Sequence, residues 1–100
     1  MTHVRARYGR YGYCLTSIGH AETTEACIAV SALVQALAGW VHNGPRSSGV
    51  SLDKGEATIA FADCPGAHEV MDVIVIGLLQ IEKAAPDAVT VEVIYEDETS

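Results

Sequence analysis

Thr24-Glu25-Ala26-Cys27-Ile28-Ala29-Val30-Ser31-Ala32-Leu33-Val34-Gln35-Ala36-Leu37-Ala38-Gly39-Trp40-Val41-His42 reads as a helix by its pattern and by its punctuation. Thr23 or Thr24 supplies an N-cap hydroxyl, Glu25 places a negative charge in the first turn, and Asn43-Gly44-Pro45 stops the run. The segments around it alternate instead. Residues 2–8 and 11–18 read as two strands around Gly9-Arg10, with Tyr11, Tyr13 and Leu15 on one face. Residues 50–53 and 56–62 read as a hairpin across Asp53-Lys54-Gly55, where glycine suits a positive φ. Pro65-Gly66 opens a second helix that runs to about Ala85 and is ended by Pro86, and residues 88–96 form a final alternating strand. The order is ββαββαβ. Helices interrupting strands in this way predict an α+β domain, a two-layer sandwich of two helices on a mainly antiparallel sheet.

Composition sets the bounds on that fold. One hundred residues make one domain, 1–100, with no room for a second core. Hydrophobic residues are 49% of the chain and aromatics only 6%, so the core must be aliphatic. Both helices carry more apolar residues than one face accounts for: Ile28, Val30, Leu33, Val34, Leu37 and Val41 in the first, and Met71, Val73, Ile74, Val75, Ile76, Leu78, Leu79 and Ile81 in the second. A small sheet covers one side of each helix, so the surplus predicts a homodimer, with a second copy closing the remainder. The formal charge of −7 argues against nucleic-acid binding, which needs clustered Lys and Arg, and favours a basic partner. The few cations gather early (Arg5, Arg7, Arg10) and the end is acidic (Glu92, Glu96, Asp97, Glu98). No signal-peptide pattern is read, and Ser31, Gln35 and Gln80 interrupt the apolar stretches, against a membrane span. Three cysteines without regular spacing suit a reducing compartment, and the chain reads as cytoplasmic.

The chemistry sits at the start of the first helix. Gly19-His20-Ala21 lies in the loop before it and Cys27 falls in its first turn. Unpaired N–H groups and the dipole at a helix start favour a thiolate, and a nearby imidazole can serve acyl transfer as base and acid. The intervening Glu22, Thr23, Thr24 and Glu25 are polar, as a solvent-facing site would be. Cys14 and Cys64 lack a comparable setting. No cofactor or metal is predicted; Cys64 and His68 lack the paired Cys-x-x-Cys spacing of a zinc site.

Gly19-His20-Ala21 followed by Ala26-Cys27-Ile28-Ala29-Val30-Ser31-Ala32-Leu33 resembles the signature of the ribosomal-processing cysteine protease (Prp) family, a Gly-His-Ala segment and then a Cys-Ala-Ala-Val-Ser segment opening the first helix. The likeness extends through Val34-Gln35-Ala36-Leu37 and again, weakly, at Gly77-Leu78, Pro86 and the last strand. It implies a homodimeric α+β cysteine endopeptidase without cofactor, in which Cys27 is the nucleophile and His20 the base and later the acid. The implied substrate is a protein: the N-terminal extension of a ribosomal protein, or a phage capsid or scaffold precursor. Ser31 matches the family's serine position, one turn after Cys27 on the same helix face. Two departures mark a divergent branch, suggestive of a phage or prophage origin. The His20-to-Cys27 connection is shorter than the family's loop, and Thr24 stands where the family commonly has aspartate, leaving Glu22 or Glu25 to orient His20. The alternative is a catalytically weak or inactive Prp-like dimer that binds a basic protein segment.

Overall fold

The computed structural model describes residues 1–19, 24–44, 49–53 and 55–96. Seven elements follow the order ββαββαβ: β1 Thr2–Tyr8, β2 Gly12–Gly19, α1 Thr24–Asn43, β3 Gly49–Asp53, β4 Glu56–Ala62, α2 Ala67–Ala84 and β5 Val89–Tyr95. The strands form one sheet ordered β3-β4-β2-β1-β5. All neighbours are antiparallel except β1 and β5, which run parallel, Thr2 opposite Val89 through Tyr8 opposite Tyr95.

Side-chain alternation places both helices on one face. In β1, Thr2, Val4, Ala6 and Tyr8 are buried while His3, Arg5 and Arg7 face outward. Leu15 of β2 and Ile59 of β4, paired across the ladder, belong to the same buried layer. Against it α1 presents Val30, Val34, Leu37 and Val41, a stripe at helical spacing. From α2 come Ala67, Met71, Ile74, Val75 and Leu78. The two helices meet where Gly77 removes a side chain. A Cβ there would come within 2.8 Å of Leu33 Cδ1, so glycine is what lets α1 and α2 pack closely.

Details differ from the sequence reading at the element ends. Tyr11 does not share the face of Tyr13 and Leu15. It lies in the turn before β2, 78% exposed, with the Arg10 guanidinium 5.6 Å from its ring centre. The second helix begins at Ala67 rather than Pro65, because Gly66 adopts a left-handed conformation (φ 86°) as the N-cap. By length and composition Glu25–Asn43 is apolar enough to cross a membrane, yet here its buried stripe is the roof of the core. Ile28 on α1 and Val73, Ile76 and Leu79 on α2 stay exposed on the side away from the sheet.

Candidate functional site at the start of the first helix

The site is assembled from the end of the sheet where β2 finishes and the first turns of α1. Gly19 closes β2 with φ 95°, and a Cβ at this position would collide with the Met1 carbonyl oxygen. Only glycine can be both left-handed and this close to a neighbouring strand. The first residue of the Gly-His-Ala segment is therefore required by the backbone. His20, Ala21, Glu22 and Thr23 lie outside the described residues, as does the Thr24 side chain.

Four residues into α1, Cys27 is half-buried and opens on a cleft of about 270 Å³. Ser31 and Gln35 follow at intervals of four and line the same wall. Val30 and Val34 form the apolar side of that wall; the sheet supplies Ser17, Gly19, Leu52, Asp53, Glu56 and Ala57 opposite. The cleft exists because the residues meeting here are small. Ser17 pairs with Ala57 on the helix-facing row, and Cys27 and Ser31 stand above them. At the other end of the layer the space is filled by Tyr13, Phe61 and Trp40, with Trp40 and Phe61 edge to face at 5.7 Å.

Of the residues singled out in the sequence, the structure brings Cys27 and Ser31 into one cleft. Glu25 is exposed in the first turn of α1 and does not line it. His20 and Glu22 fall outside the described residues. Gln35, Leu52, Asp53 and Glu56 went unnoticed in the sequence. Gln35 was reachable by extending the Cys27–Ser31 spacing one more turn, whereas the others depend on how β3 and β4 pair. The charged side chains among the described lining residues are both acidic, Asp53 and Glu56. Among the described residues no three His, Cys, Asp or Glu side chains come together as a metal site.

A second polar cluster lies at the far end of the sheet. Tyr8 donates its hydroxyl to Asp72 Oδ1 at 2.6 Å, and His68 Nε2 lies 3.3 Å from Asp72 Oδ2. Tyr13 donates to Asp63 at 2.9 Å. Burial, then the hydrogen bond to Asp63, pushes the Tyr13 hydroxyl up to about 12; the same two effects raise Tyr8. This cluster is separated from the Cys27 cleft by the length of β1, about 20 Å at the usual strand rise. It locks the far end of the layers together rather than joining the cleft.

Two helices on one face of a five-stranded mixed sheet make a fold that this chain shares with several solved structures. The particular likeness is to the ribosomal processing protease Prp of S. aureus. Its structure with a covalently linked product peptide matches with a TM-score of 0.77 and 15% identity, over 96% of this chain and 100% of that one. Its structure with a substrate peptide matches at 0.74 and 14%, with the same coverage. SMU.848 from Streptococcus mutans matches at 0.73 and 17%, over 96% of each chain. At these identities the likeness is one of fold. No family model matches the chain, and no curated protein matches it by sequence.

Proposed function

We propose that the protein is a cysteine endopeptidase that processes a protein precursor, with Cys27 as nucleophile and His20 as base and then acid. The observation that carries this reading is the placement of Cys27, in the first turn of α1 and open to a cleft, in a fold shared with a protease solved with a covalently linked product peptide. The Cys27 sulfur attacks the scissile carbonyl and forms a thioester as the amine leaves with a proton from His20. His20 then takes a proton from water, which hydrolyses the thioester and releases the second product. Backbone N–H groups at the start of α1 supply donors for the oxyanion. Ser31, one turn on, orients the nucleophile or the substrate, and Glu22 or Glu25 orients His20. The substrate is the N-terminal extension of a ribosomal protein or a phage capsid or scaffold precursor. The protein works in the cytoplasm as a homodimer, the partner covering Ile28, Val73, Ile76 and Leu79.

One observation favours the second reading, a module that holds a basic segment without cutting it: the described charges on the cleft wall are Asp53 and Glu56. Incubation with ribosomal and capsid precursors, wild type beside Cys27→Ala and with products identified by mass, separates the two. Cleavage by wild type and none by the folded Cys27→Ala variant is expected. Cleavage that persists in Cys27→Ala removes Cys27 as nucleophile, and tight binding of a precursor without cleavage by wild type favours the module.

A further inference from the structure

The sheet has two edges, and the molecule treats them differently. At the β5 edge, Glu82 of α2 reaches over and its Oε2 accepts the Val91 N–H at 2.8 Å. That carboxylate takes up a backbone donor that another strand would need at this position of the edge. At the β3 edge all five residues are exposed. Asp53 and Glu56 pair across a two-residue connection, and residues flanking such a turn exchange hydrogen bonds. Alternation then bonds Ser51 to Thr58 and turns the N–H and C=O groups of Val50 and Leu52 away from β4, toward the open edge. No side-chain hydrogen bond among the described residues reaches β3. Neither proline nor lysine interrupts Gly49–Asp53.

This open edge is continuous with the cleft. Val50 and Leu52 stand opposite Ile59 and Ala57, on the helix-facing side of the sheet, and are 41% and 49% exposed. Leu52 and Asp53 form part of the wall facing Cys27 and Ser31. We propose that β3 is the docking strand for the substrate: an extended polypeptide adds beside it as a sixth strand, bonds to the backbone of Val50 and Leu52, and carries its carbonyl to Cys27. The proposal rests on the peptidase reading for what happens at Cys27, though not for the docking itself. Five residues of edge span about 17 Å, enough to fix the register of a short segment. Alternate side chains of that segment meet Val50 and Leu52, so they are apolar.

The test uses the Cys27→Ala chain and a displayed library of linear peptides, followed by amide hydrogen exchange with a selected peptide bound. The Val50 and Leu52 amides should exchange fast in the free chain and at least about tenfold more slowly in the complex. Val50→Pro removes an N–H that the β3–β4 ladder does not use, and should weaken binding about tenfold with the fold intact. Failure to select any peptide, or bound peptides that leave the Val50 and Leu52 exchange unchanged, overturns the proposal. If selected peptides protect β3 yet wild type does not cut them, docking at the edge stands and the peptidase reading falls. If they are cut without protecting β3, the reverse holds.

Discussion

Leu37→Ala tests whether α1, which carries Cys27 and Ser31, is held in place by its buried stripe. Leu37 is 0% exposed and lies in the middle of the series Val30, Val34, Leu37, Val41. The deleted methylene and methyl groups account for about 2.4 kcal/mol of lost transfer free energy. The cavity left between the helix and the sheet adds to this, because the flanking strands are held by ladders on both sides and cannot collapse into it. A total of about 3–4 kcal/mol follows. For a domain of this size that lowers the melting temperature by roughly 15–25 °C. Urea unfolding followed by circular dichroism should show a lower midpoint at an unchanged slope, since the surface exposed on unfolding barely changes. A loss below about 1 kcal/mol would refute the packing described here, since it would mean that α1 is not seated through Leu37.

Gly19→Ala forces a Cβ against the Met1 carbonyl at φ 95° and should cost about 2–3 kcal/mol in thermal melts. Gly39→Ala, in the interior of α1 with nothing within 4 Å of the added Cβ, should instead stabilise by about 0.5–1 kcal/mol; equal effects of the two would contradict both assignments. Tyr13 keeps its proton to about 12 in the folded state, whereas an unfolded tyrosine loses it near 10. Above pH of about 10 the unfolded chain binds fewer protons than the folded one, so stability is whole below that pH and drains away as pH rises toward about 12. Tyr13→Phe should flatten this alkaline loss, measured as urea midpoints along a pH series; an identical slope in the variant would rule out the Tyr13–Asp63 bond as its source.

The elements that were legible in the sequence are those whose signal is local. The strict alternation Thr2-His3-Val4-Arg5-Ala6-Arg7-Tyr8 gives β1 face by face, and Asn43-Gly44 ends α1 within a residue of where it stops. Tyr11 was misplaced because alternation alone does not reveal where a turn ends and a ladder begins. The strand order could not be read from the chain, since pairing β1 with β5 depends on packing partners 87 residues apart, such as His3 and Thr90. A separation of 64 residues likewise hid the bond from Tyr8 to Asp72 in the Tyr8–Asp72–His68 cluster. At the cleft, the helix-start position pointed to Cys27 and the family resemblance to Ser31, and their spacing of four puts both on one helix face. The opposite wall is built by the β3–β4 register, which no spacing in the chain announces.

The position of β1 in the sheet also governs the order in which the fold can be assembled. It lies between β2 and β5 as an interior strand, yet one of its two partners is the last strand of the fold. The β1–β2 and β3–β4 hairpins close over short stretches of chain, and such local pairings are fast; the β1–β5 ladder closes the longest loop in the molecule and carries the largest entropic cost. Until β5 arrives, the β1 backbone is an open edge of its own. A nascent chain therefore exposes, in the interior of its future sheet, the kind of surface that the finished protein retains at β3.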